Sequence, residues 1–447
     1  MATTKLRPAR RVAQAVGAVV AAGALLTVAG CSSTSSGSGS STSSDALSGE
    51  LTLLVSSADA SDAAFKEVNE AFEAANPDVT VTLTSVPNDS YPATKAAQLT
   101  AGQVDLFVVK TFREVPDYAA DSTSDDVQLA EAGGLVDLTD ESFMDDYTES
   151  VLDSQAIDGK QYAVPTGLSY STGVFYNKTI FTENGIDVPT TWTELTDAMA
   201  TLQAAGVTPF GIGGKDTWPA GLVMLGAVNS LYPTAEDKEQ LAADLWSQDV
   251  SLTDDTPLSV LEKTQEVFDN AQDNFSGAGY DDMPAAFARG EFAMLPDGTW
   301  DAPTIDTAVA DAFDYGYFPF PGSDDAEDNA YLSGKIELQL AIPTTSTHQD
   351  LAKAWLAFFS QSDVYAQFVA TSGYSSAQPD IEQSDFLNSI SDYTSTFQPA
   401  WDSVWIANND AGEDAVYPFN YPALSPLGAS TAEQAAEAAQ TAWSAGF

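Results

Sequence analysis

The sequence predicts an α/β protein, because apolar runs of strand length alternate with segments of helical spacing in its first folded part. The predicted strands are 51–55, 79–86 and 104–109, and the predicted helices are 63–75 and 91–101. In the first helix, Phe65, Val68 and Phe72 recur at the spacing of one helical face. Such alternation favours a parallel sheet, whose ligands bind beyond the carboxyl ends of its strands. Loops 56–59 and 110–113 follow predicted strands, so they are candidate binding loops.

The rest of the chain continues the mixture of helices and strands. The sequence predicts helices at 192–205, 351–359 and 431–445 and a strand at 336–342. Ser430 lies just before the last helix and Glu433 lies in its first turn. Their spacing is that of a capping box, which predicts the start of this helix. Trp401 and Trp405 are four residues apart, so we expect one helical face to bury both, a place on a binding-site wall being the alternative.

Charge and the rare residue types exclude several functional classes. The 447 residues predict two or three domains, and they contain 65 acidic against 16 basic residues, a net charge of −49. Such a surface repels nucleic-acid phosphates, so we expect no nucleic-acid partner, and the acid excess serves solubility. The single histidine, His348, argues against histidine metal clusters and histidine-dependent triads, and the single cysteine excludes an internal disulfide. We therefore expect neither a metal nor a cofactor.

Residues 1–30 have the composition of a signal peptide, because basic residues precede a mostly apolar run at 12–29. The run ends in LTVAGC at 26–31, which resembles a bacterial lipobox. That resemblance implies that Cys31 is lipidated and anchors the protein to the extracellular face of the cell membrane. The alternative is an ordinary signal peptide with an incidental cysteine. Residues 31–48 are rich in Ser, Thr and Gly, and we expect them to form a flexible tether.

Three segments between residues 158 and 195 carry a resemblance to a known family. Their sequences are DGKQYAVP (158–165), GVFYNK (173–178) and GIDVPTTWTEL (185–195). In combination they resemble the extracellular solute-binding proteins of ABC transporters, in the carbohydrate-binding group that includes maltose-binding protein. The resemblance extends more weakly over nearly all of the chain after residue 48.

The resemblance implies a periplasmic-binding-protein-like fold, in which two α/β lobes are joined by a multi-segment hinge and enclose a ligand cleft. It implies an N-terminal lobe at 49–165 plus 335–372 and a C-terminal lobe at 166–334 plus 373–447. The lobes would close around a sugar and deliver it to the permease subunits of an ABC importer. We expect a monomer without catalytic residues that reaches the membrane through its lipid anchor alone.

Aromatic residues near the expected cleft are candidates for stacking on the apolar face of a sugar ring. Trp218 and Trp300 follow turn signals and lie outside apolar periodic runs. Trp300 also ends a GTW segment similar to one in the family, where the tryptophan commonly stacks on the ligand. The resemblance also implies three crossings between the lobes, the first within 158–218, the second at 332–334 and the third at 373–376. Tyr170, Phe112 and Tyr374 are further candidates, because they lie at these crossings or at the binding loop 110–113. For each of the five, the alternative is a place in a core or between the lobes.

Polar and charged residues at the same loops are candidates for hydrogen bonds to sugar hydroxyls. They are Ser57, Asp59, Lys110, Arg113, Asp216, Lys335 and Glu337. Because bases are rare in this chain, those at the cleft are informative: they contact sugar hydroxyls or an acidic ligand, or they neutralise neighbouring acids. Each carboxylate has a surface charge as its alternative. Lys335 and Glu337 depart from the small residues that the family resemblance leads us to expect there.

Two other functional classes stay open at the level of the sequence. A secreted glycoside hydrolase would need two carboxylates facing each other across one pocket, about 5–5.5 or 6.5–9.5 Å apart. A structural or adhesive lipoprotein would need no closed cleft between lobes. Composition does not identify the sugar, its linkage or its chain length.

Overall fold

The structure, a computed structural model, describes residues 47–56, 58–415 and 418–447, without the side chains of Asp59 and Glu413. The predicted signal peptide, Cys31, most of the predicted tether and Ser57 lie outside the described residues. None of the helices in the described part of the chain combines the length and the apolar character that crossing a bilayer requires.

Three sheets organise the described residues. The strands are β1 (Ser48–Ser56), β2 (Asp78–Val86), β3 (Leu106–Val108), β4 (Ala163–Val164), β5 (Gly167–Tyr170), β6 (Gly173–Asn177), β7 (Met294–Asp297), β8 (Tyr315–Pro319), β9 (Ser333–Glu337), β10 (Leu340–Ala341) and β11 (Gln398–Pro399). In the first sheet, ordered β2-β1-β3-β10-β4, the first three strands are parallel and β10 is antiparallel to both of its neighbours. The second sheet has the order β11-β9-β5, and the third, fully antiparallel, has the order β7-β6-β8. The parallel β2-β1-β3 strands confirm the α/β prediction.

Helices pack on these sheets and on one another. They are α1 (Asp59–Ala75), α2 (Tyr91–Ala101), α3 (Asp125–Glu131), α4 (Glu149–Gln155), α5 (Lys178–Asn184), α6 (Trp192–Ala204), α7 (Trp218–Leu231), α8 (Ala235–Ser247), α9 (Asp255–Asp269), α10 (Met283–Ala288), α11 (Ala302–Val309), α12 (Gln349–Phe359), α13 (Ser362–Ser372), α14 (Asp385–Ser389), α15 (Ser391–Thr394), α16 (Trp401–Val404) and α17 (Ala432–Ala445). Phe65, Val68 and Phe72 of α1 are buried, as the helical spacing predicts. The helix begins at Asp59, four residues before its predicted start, so it includes the last residue of the predicted loop 56–59.

The apolar side chains separate into cores that follow the sheets. One core draws on residues 51–164 and 338–377 and surrounds the five-stranded sheet. Two further cores draw on residues 174–443 and 170–390 and surround the β7-β6-β8 sheet. Trp300 packs against the first core and also against one of the other two. The fold therefore has two α/β lobes, and Trp300 lies where they meet.

The predicted crossings between the lobes lie side by side. β5 pairs with β9 in antiparallel register from Gly167 opposite Glu337 to Tyr170 opposite Gly334, and Leu168 also pairs with Ser375. A Cβ atom at Gly334 would lie 2.1 Å from the carbonyl oxygen of the facing strand, so only glycine allows the two backbones to approach this closely. These segments form the multi-segment hinge, whereas the exact lobe boundaries stay a prediction.

The prediction of a single strand at 336–342 is wrong. β9 ends at Glu337, and Leu338 has a positive φ of 41°. The chain then enters β10, which belongs to the five-stranded sheet. The apolar run is therefore shared between the hinge sheet and the sheet of the first lobe, with a turn between them.

The predicted cap of the last helix is displaced by one residue. The Thr431 side chain accepts a hydrogen bond from the backbone N–H of Gln434, and the Gln434 side chain accepts one from the backbone N–H of Thr431. The capping box is therefore Thr431 with Gln434 rather than Ser430 with Glu433.

The buried tryptophans of α16 and its flank agree with the helical spacing. Trp401 and Trp405 are almost inaccessible to solvent, and their rings stack with centroids 5.4 Å apart. The core interpretation of this pair is therefore confirmed, and the two rings anchor the segment after β11 to the second lobe.

Two neighbouring carboxyl groups are buried at the end of β7. Asp297 is fully buried and Asp301 is nearly so. Burial, reinforced by the charge of Asp301, raises the pKa of Asp297 well above its ordinary value. Burial and the neighbouring carboxyl group therefore both disfavour the ionised form of Asp297.

Replacing this acid is expected to change how stability depends on pH. Because folding raises the pKa of Asp297, the folded chain binds more protons than the unfolded chain above about pH 4, and its free energy of unfolding falls as the pH rises. The amide in Asp297→Asn mimics the protonated acid, so the variant gains stability over wild type between about pH 5 and pH 8. Each unit by which the pKa is raised corresponds to about 1.4 kcal/mol.

Urea denaturation at several pH values measures this difference. Asp311→Asn, at an exposed position, is the matched control and is expected to follow the wild-type pH profile. A constant offset between Asp297→Asn and wild type across the pH range would show that Asp297 is ionised in the folded protein.

Candidate ligand-binding cleft

A cavity of about 350 Å³ lies between the two lobes. Its volume falls within the range of about 300–1,000 Å³ that is typical of small-molecule sites. Its lining side chains include Ser56, Asn88, Lys110, Trp218, Tyr280, Trp300, Lys335, Glu337, Tyr374 and Asp402. One part of this wall is aromatic and the other is polar or charged.

The aromatic part consists of Trp218, Tyr280 and Trp300. The ring centroids of Trp218 and Tyr280 are 4.5 Å apart, and those of Trp218 and Trp300 are 6.4 Å apart. Trp218 begins α7 directly after Thr217, whose positive φ of 62° turns the chain into the helix. Trp300 lies in the 3-10 turn Thr299–Asp301. Both tryptophans are partly exposed, so each offers aromatic surface to the cavity.

A chain of hydrogen bonds holds this aromatic wall. The indole Nε1–H of Trp300 donates to the Tyr280 hydroxyl over 2.9 Å, and that hydroxyl donates to Oδ1 of Asp297 over 3.2 Å. The same carboxyl oxygen accepts the backbone N–H of Gly298 over 2.7 Å. Burial and the charges of the two nearby acids raise the pKa of Tyr280, which keeps the hydroxyl protonated. The buried acid pair thus positions the platform residue Trp300.

The charged part of the wall comes from β9 and α16. Lys335 and Glu337 are two residues apart in a strand, so their side chains lie on the same face. Lys335 Nζ lies 3.3 Å from a carboxylate oxygen of Asp402 and 3.8 Å from one of Glu337. The attraction of Asp402 raises the pKa of Lys335, so this lysine is charged at neutral pH. The hydroxyl of Ser169, in the paired strand β5, donates to Glu337 and fixes its carboxylate.

Lys110 contributes a second ammonium group from the loop after β3. Its Nζ donates to the Ser56 hydroxyl over 2.8 Å and to the Asn88 side-chain carbonyl over 3.3 Å. Burial, with a smaller contribution from Lys335, lowers the pKa of Lys110 to about 8. The group therefore remains mostly protonated at neutral pH and presents hydrogen-bond donors to the cavity.

The first cavity brings together half of the residues predicted for the site. They are Lys110, Trp218, Trp300, Lys335, Glu337 and Tyr374. Tyr374 is almost fully buried in the first core, so only a small part of its ring reaches the cavity wall. The other members are partly exposed and face the open volume.

Four predicted residues lie elsewhere. Phe112 and Arg113 line an adjoining cavity, and Phe112 is nearly fully buried. Asp216 accepts the backbone N–H of Tyr280 over 2.7 Å, so it supports the aromatic wall from behind. Tyr170 is buried in a core of the second lobe. Ser57 lies outside the described residues, and Asp59 begins α1 with a side chain that is not described.

Arg113 joins the two lobes. Its guanidinium donates to the backbone carbonyl of Val404 and, over 3.4 Å, to that of Trp405. These carbonyls are at the carboxyl end of α16. A cationic donor is stabilised there, because the carbonyl oxygens at a helix end carry partial negative charge. The backbone N–H of Asn409 also donates to the Ser122 hydroxyl over 3.3 Å, beside the same interface.

Sequence reasoning missed Tyr280, Asn88 and Asp402. A signal for Asp402 was present, because the helical spacing that buries Trp401 and Trp405 leaves Asp402, the residue directly after Trp401, on another face. Tyr280 and Asn88 lie in turns without periodicity, and only the packing of distant segments brings them to the cavity. Their position in the site could therefore not be predicted from the local sequence pattern.

Comparison of the chain with known proteins agrees with this geometry. The family model of bacterial extracellular solute-binding proteins matches residues 56–366. The multiple sugar-binding protein of Streptococcus mutans is 25% identical over 314 residues, which cover 70% of this chain and 71% of that protein. The diacetylchitobiose binding protein of Streptomyces coelicolor is 28% identical over 235 residues, or 51% of this chain and 52% of that protein.

Solved structures agree with the fold. The solute-binding protein RafE in complex with raffinose has a TM-score of 0.73 at 22% identity, covering 88% of this chain and 98% of its own. A sugar transporter protein from Bacillus licheniformis in complex with stachyose has a TM-score of 0.68 at 17% identity, with coverage of 88% and 98%. The predicted two-lobe fold is therefore confirmed. The matching family binds solutes and is not enzymatic, which confirms the expectation of a binding protein. The chain belongs to the bacterial extracellular solute-binding proteins.

Proposed function

We propose that this chain captures a sugar, specifically an oligosaccharide, between its lobes and delivers it to an ABC importer. The observation that carries the proposal is the aromatic wall of Trp218, Tyr280 and Trp300, which shares one cavity with the charged side chains of β9. A sugar ring has apolar faces and a rim of hydroxyls, so its recognition needs both kinds of group. The relatives named for multiple sugars and diacetylchitobiose, and the structures with raffinose and stachyose, support the same ligand class.

The side chains that line the first cavity and are partly exposed are the proposed ligand contacts. Trp300 and Trp218 stack on the sugar, while Lys110, Lys335 and Glu337 exchange hydrogen bonds with its hydroxyls. Further proposed members of the site are Ser57, Asp59, Phe112, Arg113, Tyr170, Asp216 and Tyr374. Of these, Asp216 and Tyr170 act by holding Tyr280 and the crossing strands in place, since contacts inside the protein occupy them.

Binding would proceed by closure of the lobes, at 49–165 plus 335–372 and at 166–334 plus 373–447. A ligand that contacts both lobes favours the closed state by its additional contacts there, and the closed state docks the permease. No bond is made or broken, so the protein needs neither a cofactor nor a catalytic residue, and it acts as a monomer.

The signal peptide, the lipid anchor at Cys31 and the tether at 31–48 would place the binding unit outside the cell membrane. The support for this part is the lipobox-like segment before the single cysteine, together with the Ser, Thr and Gly content of the tether. A tether of this composition gives the lobes reach from the membrane surface without fixing their orientation.

A thermal-shift screen over monosaccharides and oligosaccharides tests the function. A true ligand stabilises the folded protein by about 2.7 kcal/mol at a hundredfold excess over its Kd. Chromatography of the same mixtures separates binding from turnover, because a binding protein returns the sugar intact. Absence of any shift across the sugars, or sustained release of cleavage products, would contradict the proposal.

Trp300→Ala is expected to weaken sugar binding about tenfold or more. Stacking on an aromatic ring contributes about 0.5–1.5 kcal/mol beyond the buried area, and about 1.4 kcal/mol corresponds to tenfold in Kd. Trp192→Ala is the matched control, because Trp192 is also partly buried but packs against Phe320, away from the cavity. Affinities from calorimetry and urea midpoints are measured on both variants. Equal affinities in the two folded variants would remove Trp300 from the site.

Cys31→Ala is expected to release the protein from the membrane, because the lipid would have no attachment residue. The variant is expressed with residues 1–30 intact, and its distribution between membrane and soluble fractions is compared with that of wild type. Full retention of the variant in the membrane fraction would assign the anchor to another feature.

A further inference from the structure

A second cavity, of about 780 Å³, adjoins the first. The two cavities share lining residues, namely Lys110, Lys335, Glu337, Leu338 and Asp402. The side chains of Lys335 and Asp402 are 34% and 39% exposed, so their polar groups remain accessible at the junction. The ion pair between them therefore borders both cavities.

An exposed aromatic ring faces this second cavity. Phe397, in the segment before β11, lines the cavity and is 46% exposed. The edge-to-face contact with Tyr170, at a centroid distance of 6.4 Å and an angle of 64°, orients the ring. Tyr170 is itself buried, so it supplies a fixed backing for the exposed phenyl group. Leaving such a ring in water forgoes apolar burial, which a ligand's apolar face would restore.

Polar side chains line the same cavity as Phe397. Glu114 and Asp153 are exposed, and Ser403 is partly exposed. Carboxylates and hydroxyls at the rim, with an aromatic face beside them, are the groups that sugar recognition needs. The second cavity therefore repeats the chemistry of the first with different residues.

We infer that the second cavity is a further saccharide subsite with Phe397 as its stacking face. One oligosaccharide extends from Trp300, past Lys335 and Asp402, to Phe397. Lys335 and Asp402 bond the hydroxyls of the unit at the junction, because both are accessible from either side. This inference rests on the proposed function and deepens it: the preferred ligand is long enough to reach both aromatic faces.

A ladder of chain lengths tests the subsite, using the saccharide series that gives the largest thermal shift. Calorimetry is run on wild type, Phe397→Ala and Tyr331→Ala. Tyr331 is a matched control, because it is 39% exposed and lines neither of the two cavities. For Phe397→Ala we expect affinity about tenfold lower for the longest members and unchanged for the shortest binder, about 1.4 kcal/mol corresponding to tenfold.

Phe397→Trp provides the rescue, since a larger aromatic face at this position retains the long-chain affinity. Urea midpoints check that each variant is folded. Equal weakening of short and long members by Phe397→Ala would assign the ring to contact between the lobes and overturn the subsite. Unchanged affinity along the whole ladder would also overturn it. In both of these outcomes sugars still bind, whereas failure of every saccharide to bind wild type would overturn the proposed function as well.

Discussion

The antiparallel pairing of β5 with β9 is the contact on which the cleft depends. Both strands pass between the lobes, and their hydrogen bonds hold the two crossing segments side by side. The register places Lys335 opposite Ser169, and the alternation of the strand then directs Lys335 and Glu337 to one face. Gly334 permits this spacing because any side chain there would collide with the facing backbone. The charged wall of the site is thus a product of the hinge itself.

The few basic residues of this acidic chain have distinct tasks around the cleft. Lys335 is balanced by Asp402 and Glu337, whereas the ammonium of Lys110 donates its hydrogen bonds to the neutral side chains of Ser56 and Asn88, and burial lowers its pKa to about 8. Arg113 is used between the lobes, where it satisfies carbonyl groups at the end of α16. A lowered pKa on a partly exposed cleft lysine is typical of groups at functional sites.

Features determined by neighbouring residues were predictable, and features determined by distant contacts were not. Spacing alone predicted the buried faces of α1 and of Trp401 and Trp405. The cap of α17 was missed by one residue because Thr431 with Gln434 has the same spacing as the predicted pair. Bonds to distant backbone decide between them: Ser430 donates to Ala423 and accepts from Ser425, which keeps it outside the helix. Similarly, only tertiary packing brings Tyr280 beneath Trp300, and the turn at Leu338 divides one apolar run between two sheets.

The distribution of tryptophans has an optical consequence. Of the eight tryptophans, Trp355, Trp401 and Trp443 are fully buried in cores. Trp218 and Trp300 are partly exposed, contact each other and line the cavity. A molecule that enters the cavity displaces water from these two indoles and leaves the buried ones in the same surroundings. Binding in the cleft should therefore change the intrinsic fluorescence of the protein, and the change should come from a minority of its tryptophans.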